Sequence, residues 1–286
     1  MTLGELILGT EKKLRAARLH YGHGTLNARD EAAYLVLRGL GLPFDSDLSR
    51  RIQGPDGRKI EGLVKARIEQ RVPVAYLLKE AWLADHSFYV DHRVIIPRSH
   101  IAELLKGRAI RSVRPGRILD LCTGSGCLAI LAALEFPRAR VDAVDLSDEA
   151  LEVARINIAR YKLKDRVRLL KSDLFAAVAG EKYDLIVANP PYVDGAAMRA
   201  LPREYRHEPR MALAGGTDGL VLVRQIIEGA KQHLRPGGRL VCEIGDGRRA
   251  LERACPAARF TWPETAAGSD AVFVQAQPRR ATAASR

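Results

Sequence analysis

Asp120-Leu-Cys-Thr-Gly-Ser-Gly-Cys-Leu-Ala129 decides how this chain is folded. It closes an apolar run at 117–122 that reads as a buried strand, and it opens a second run at 127–135 that reads as a helix. Gly124 and Gly126 lie between the two, where a backbone without Cβ can approach a ligand closely. The helix start behind them presents free N–H groups and positive potential. The spacing Gly124-x-Gly126-x-x-Ala129 also satisfies a dinucleotide fingerprint. Alone, the loop does not choose between NAD and S-adenosylmethionine.

Downstream of this loop, strand and helix patterns alternate. Strands are expected at 140–145, 167–170, 183–188 and 239–244, with helices at 148–161 and 219–234. Segments 260–262 and 271–275 read as two closing strands. Such alternation predicts a doubly wound α/β sheet. Upstream, the first 80 or so residues read as helical. Asn27 precedes a helix closed by Gly39 or Gly41, and Gly54-Pro-Asp-Gly57 reads as a turn. Beyond it Ile60, Leu63, Val64, Arg67 and Ile68 keep helical spacing as far as Pro73. Alternating Phe88, Val90, Val94 and Ile96 predict a hairpin over 87–97. The expected organisation is a helical domain at 1–85, a hairpin and linker at 86–115, an α/β domain at 116–278 and a disordered tail at 279–286.

The 286 residues allow two domains, and 47% hydrophobic with 28% charged residues is ordinary for a soluble protein. No run reaches the ~18 apolar residues of a membrane helix. The N-terminus lacks the basic flank and cleavage site of a signal peptide, so a cytoplasmic location is expected. Cys122, Cys127, Cys242 and Cys255 fit neither zinc spacing nor a disulfide framework. No metal site is expected, and Cys122 and Cys242 read as buried thiols. The net charge of +12 suits either a nucleic-acid-associated partner or a solvated basic surface. Lys106, Arg108, Arg111 and Arg114 make one candidate face for RNA.

Three acids surround the loop. Asp145 ends the second strand, 25 positions after Asp120, where a carboxylate can accept both hydroxyls of a ribose. Asp173 follows the third strand, placed for an adenine edge, and Asp120 lies beside the loop, near an ammonium or sulfonium. Asp148 and Asp173 could equally cap or turn. Three acids suit a cationic cofactor better than a pyrophosphate, which favours S-adenosylmethionine. Thr123, Ser125, Leu146, Leu174 and Asn189 complete the candidate cofactor contacts.

Asn189-Pro190-Pro191-Tyr192 closes the fourth strand. The two prolines fix φ and remove two donors, and Asn189, before a proline, is pushed towards extended geometry. The result is a stiff corner whose carboxamide and backbone carbonyl both accept N–H bonds, with Tyr192 adding a flat face. Such a corner suits gripping a planar, weakly nucleophilic nitrogen. Asn189, Pro190 and Tyr192 are therefore the candidate catalytic residues, and Pro191 joins them as a candidate substrate contact.

Taken together, the glycine loop, Val141-Asp-Ala-Val-Asp145 and Asn189-Pro-Pro-Tyr192 resemble the HemK-like protein-glutamine methyltransferases. His207-Glu-Pro-Arg-Met-Ala-Leu-Ala-Gly-Gly-Thr-Asp-Gly-Leu220 resembles the family's Glu-Pro and glycine-rich segment, and Arg71–Tyr76 and Val94–Arg98 resemble its linker. The resemblance covers nearly the whole chain. It implies a seven-stranded Rossmann-like class I methyltransferase sheet behind a helical substrate-recognition domain. It also implies that Asn189 and Pro190 hold a glutamine amide. Tyr21-Gly-His-Gly-Thr25 and Glu204–Pro209 are similar to the branch that modifies the third large-subunit ribosomal protein, L-three; the release-factor branch is the near alternative. One departure is Cys122-Thr123, where many relatives carry a glycine.

His207 and Glu208 are read as ordering their loop, ahead of touching substrate. Two rival readings stay open: a nucleic-acid amino-methyltransferase, which would need to flip a base, and a ribosome-assembly factor without catalysis.

Overall fold

The computed structural model describes residues 1–107, 110 and 112–279. Arg108 and Arg111 of the basic stretch, and the expected tail apart from Arg279, lie outside the described residues.

Helices α1 (Leu3–Ala16), α2 (Ala28–Gly39) and α3 (Gly54–Lys65) pack around one apolar cluster at the N-terminal end of the chain. Thr2 and Glu5 form a reciprocal capping box on α1, and Asn27 accepts the Asp30 N–H at the start of α2. Beyond α2 the chain turns at Gly41, whose φ of +70° falls in the left-handed region. The turn expected at Gly54–Gly57 is instead the first turn of α3, because Pro55 stands where a helix needs no N–H. From α3 the chain continues into a π-helical segment, Ala66–Gln70, which carries Arg67 into the interior. A short helix, α4 (Val74–Leu78), follows Pro73.

The hairpin lies upstream of its expected place. β1 (Ala81–Leu83) and β2 (His86–Phe88) pair antiparallel around Ala84 and Asp85, both at positive φ, which matches strand twist. Segment 89–97 alternates for another reason: Val90, Val94 and Ile96 bury one side against Ala150 and Val153 of a later helix. Its polar residues fold into a local turn, Asp91 taking Arg93 and the Tyr89 hydroxyl, so no ladder forms.

After α5 (Ile101–Leu105), the α/β domain runs β3 (Arg117–Leu121), α6 (Cys127–Glu135), β4 (Arg140–Asp145), α7 (Asp148–Arg160), β5 (Val167–Lys171) and β6 (Tyr183–Ala188). It ends with α8 (Gly195–Ala200), α9 (Val221–His233), β7 (Leu234–Glu243), α10 (Arg248–Ala254) and β8 (Val272–Ala276). The described sheet has six strands in the order β5-β4-β3-β6-β7-β8, parallel except for β8. Helices α5, α6 and α7 cover one face and α9 and α10 the other, so the central strands are mainly apolar on both faces. The seventh strand, expected at 260–262, is a single bridge between Thr261 and Val274. Pro263 follows and has no N–H to continue the ladder.

Strand order reverses between β3 and β6, which are neighbours. Ligands of such sheets bind at the carboxyl ends beside this switch point. The glycine loop leaves β3 there, and Asn189 leaves β6 beside it.

Candidate active site

A cleft of about 270 Å³ opens at this switch point. Gly124, Asp145, Leu146, Asp173, Leu174 and Asn189 line it, as expected from the sequence. Asp145 organises its floor: one carboxylate oxygen accepts the Gly124 N–H (2.8 Å) and the other the Ser147 N–H (3.0 Å). Burial raises the Asp145 carboxyl despite these two bonds. Gly124 is at φ +54°, and a Cβ there would project into the cleft.

Asp120, Thr123, Ser125 and Gly126 do not reach the cleft. Asp120 is fully buried beneath the loop, where one oxygen accepts the Thr123 hydroxyl (2.6 Å) and the Ala129 N–H (3.0 Å). Its other oxygen has no partner among the described residues, and burial lifts the carboxyl to about 7. Gly126, at φ +79°, serves packing: a Cβ would stand 3.2 Å from that of Ala154 on α7. These residues shape the loop from behind, which a one-dimensional motif does not separate from contact.

Sequence reasoning also missed lining residues, among them Cys122, Arg93, Met211 and Leu222. Cys122 explains the one departure from the family pattern. It stands at φ +57°, a conformation that suits glycine, and burial pushes its thiol far up. Among the described residues no group of His, Cys, Asp or Glu is arranged to hold a metal.

A second cleft, about 240 Å³, is lined by Arg98, Pro190, Tyr192, Leu201, Tyr205 and Leu213, and shares Asn189 with the first. The chain corner thus divides its residues. Pro190 and Tyr192 face the second cleft, while Pro191, expected with the substrate group, faces the first. A doubled proline holds successive residues extended, so they point to opposite sides. Among the described residues, neither the Asn189 carboxamide nor the Pro190 carbonyl has a hydrogen-bond partner.

Remote segments brace the corner. The Val193 N–H donates to the Leu213 carbonyl (2.9 Å), and the Gly215 N–H to the Val193 carbonyl (2.8 Å). A Cβ on Gly215 would fall 2.6 Å from Tyr192 Cα, and one on Gly219 2.4 Å from the Tyr192 carbonyl oxygen. The Tyr192 hydroxyl donates to Glu243 Oε1 (3.1 Å). Glu243 Oε2 in turn accepts the Ser99 hydroxyl (2.6 Å) and the His100 N–H (2.9 Å). Burial raises the Glu243 carboxyl, and burial with that neighbour pushes the Tyr192 phenol up. A lone acid ending an apolar strand was the available signal for Glu243.

The Glu204–Pro209 segment ties the N-terminal helices and the 89–98 strap to the residues after β6. Glu204 accepts the His20 N–H and meets Arg67 and Arg71 (each 3.4 Å). Glu208 accepts from Arg98 (2.7 Å) and from the Ile96 N–H (2.9 Å). Burial alone would raise Glu208, but Arg98 and His23 outweigh it and hold the carboxyl at about 2. His207 Nε2 meets the Gln70 carbonyl (2.9 Å). Both His207 and Glu208 therefore order the loop.

Comparison with known proteins agrees with this geometry. The model of the methyltransferase small domain family matches residues 102–205, a span that takes in the glycine loop, Asp145, Asp173 and the Asn189 corner. The catalytic domain of hMettl16, solved with a MAT2A 3′UTR hairpin, shares the fold with a TM-score of 0.53 at 16% identity, over 82% of this chain and 86% of that one. The fold and the family model agree with an S-adenosylmethionine-dependent methyltransferase, and the curated relatives show that class. Within that class, the ribosomal protein uL3 glutamine methyltransferase of Bordetella pertussis is 51% identical over 96% of this chain and 94% of its own. The protein of the same name from Burkholderia pseudomallei is 47% identical over 96% of this chain and 94% of its own. The chain belongs to the ribosomal protein uL3 glutamine methyltransferase family.

Proposed function

We propose that this enzyme methylates a glutamine side-chain amide nitrogen of ribosomal protein uL3, the third protein of the large subunit, in the cytoplasm. The observation that carries the reading is the junction of the two clefts, where two acceptors of one stiff corner stand without partners. Asn189 Oδ1 accepts one amide N–H and the Pro190 carbonyl the other. These bonds fix the nitrogen's orientation and favour the positive charge that grows on it. Tyr192, its hydroxyl held by Glu243, packs on the amide plane. After transfer the alkylated nitrogen is strongly acidic and loses its proton to water, so no strong base is required.

The residues of the first cleft fit the cofactor. Asp145 and Asp173 supply carboxylates for hydroxyl and amine donors, Leu146 and Leu174 supply apolar walls, and Gly124 leaves the floor open. When bound, S-adenosylmethionine supplies an electrophilic methyl group. Asp120, Thr123, Ser125 and Gly126 act by holding the loop. With a ribosomal protein as substrate, ribosomal RNA is the neighbouring polymer, and a net charge of +12 suits contact with it.

The test is to incubate the enzyme and methyl-labelled cofactor with unassembled ribosomal proteins, release factors, RNA and DNA in parallel. Label on uL3 at a glutamine is the expected result. Label on a release factor alone, or on nucleic acid alone, overturns the reading.

A further inference from the structure

The segment from Asp194 to Ala212 sorts its charges by side. Its acids are spent locally or inward: Asp194 caps α8, Glu204 is 3% exposed among Arg67, Arg71 and His20, and Glu208 is 5% exposed against Arg98. Its arginines do the opposite. Arg199, Arg203, Arg206 and Arg210 are all exposed, and none of their guanidinium groups has a hydrogen bond or ion pair among the described residues. Several exposed arginines elsewhere find a carboxylate, as Arg15 does with Glu11, Arg155 with Glu152 and Arg168 with Asp142, and those that do not are not gathered beside the clefts.

The four are also close to the chemistry. Arg199 and Arg203 flank Leu201, and Arg206 follows Tyr205, both lining the second cleft. Arg210 lies between Pro209 and Met211, which line the first. The rim around Asn189 is therefore cationic, with its compensating carboxylates buried. A free basic protein would be repelled there. Guanidinium groups, planar and weakly hydrated, suit phosphate in bidentate contacts.

We propose that Arg199, Arg203, Arg206 and Arg210 form a contact surface for the phosphate backbone of ribosomal RNA, so that the enzyme takes its protein substrate while that protein is bound to RNA. The substrate half of this statement rests on the uL3 reading above; the RNA surface stands on the arginines alone.

The experiment compares the full-length enzyme with a variant carrying Arg199→Gln, Arg203→Gln, Arg206→Gln and Arg210→Gln. A charge-matched control carries Arg29→Gln, Arg50→Gln, Arg253→Gln and Arg259→Gln, also exposed and unpaired among the described residues. Each is titrated with a large-subunit ribosomal RNA fragment over a range of salt. Each is also assayed on uL3 alone and on uL3 bound to that RNA, with melting temperature as the check on folding. The rim variant is expected to lower the slope of log affinity against log salt by about 3, near 0.7–0.9 for each lost contact. It should lose about tenfold or more in kcat/KM on the RNA-bound protein and keep its rate on free uL3, while the control moves neither. Equal losses in rim variant and control overturn the proposal, as does an equal loss on free and RNA-bound protein, which would make the rim a protein-docking surface. Absence of methylation of either substrate by the unmodified enzyme would sink the uL3 reading only, and the RNA titration would still decide the arginine surface.

Discussion

The glycine loop and the Asn189 corner leave neighbouring strands, yet they are held by different means. Most of the loop's ties lie within 120–147, where Asp120 ties Thr123 and Ala129 from below and Asp145 ties Gly124 and Ser147 from the side; Ala154 and Asn157 of the next helix back Gly126 and the Ser125 carbonyl. The corner is stiff in itself but is placed by distant residues: Leu213, Gly215, Gly219 and Glu243, with Ser99 and His100 behind Glu243. One half of the site is local in sequence and the other is assembled. Changes near the loop should act on cofactor affinity and folding, and changes around the corner on turnover.

The largest effect expected is from Asn189→Ala, which removes one of two acceptors. By analogy with the loss of one preorganised polar contact, turnover should fall roughly 10²–10³-fold. Calorimetry should find cofactor affinity kept within a few-fold; near-normal turnover would break the division. Gly219→Ala attacks the corner from behind, since its Cβ would meet the Tyr192 carbonyl at 2.4 Å and φ is +73°. Turnover is expected to drop on the order of tenfold or more, with about 2 kcal/mol of stability lost in denaturant titration. A variant that keeps full turnover would show the corner to be self-supporting.

On the other side of the comparison, Asp145→Asn should weaken cofactor binding about tenfold, a loss of ~1.4 kcal/mol. Turnover at saturating cofactor should stay near normal. A matching fall in turnover would mean that the two halves are not separable.

The smallest effect on activity concerns Asp120, whose carboxyl burial lifts to about 7 from its ordinary 3.8. Between those values the folded protein holds a proton that the unfolded chain has released. This group's contribution to stability is complete below about pH 4 and is lost as pH rises towards and through 7. Asp120→Asn removes that dependence and should stabilise the protein by about 2–3 kcal/mol more at pH 8 than at pH 5, measured by thermal unfolding. An equal difference at both pH values would refute the assignment.

How far the sequence could be read follows the same division. The strands β3, β4 and β6 are legible because both their faces are buried, which leaves them mainly apolar, with a single aspartate inside each: Asp120, Asp142 and Asp184. The hairpin was misread because burying one side of a strap against Ala150 and Val153 leaves the same alternation as strand pairing. Pro55 read as a turn because proline suits a turn and a helix start alike. Asp120 read as a cofactor contact because an acid beside a glycine loop looks the same whether it faces the ligand or the core.

By itself the sequence determined the alternating α/β order, the ligand-approaching glycine loop and the stiffness of Asn189-Pro190-Pro191-Tyr192, since each depends on φ, periodicity or the absence of Cβ within a few residues. Only the tertiary structure decided that Pro190 and Pro191 face different clefts, that Glu243 holds Tyr192, and that Glu204 and Glu208 turn inward while their neighbouring arginines stay outside. Those outcomes depend on which distant segment packs against each residue, and burial of charge is settled by the partner that meets it rather than by its place in the chain.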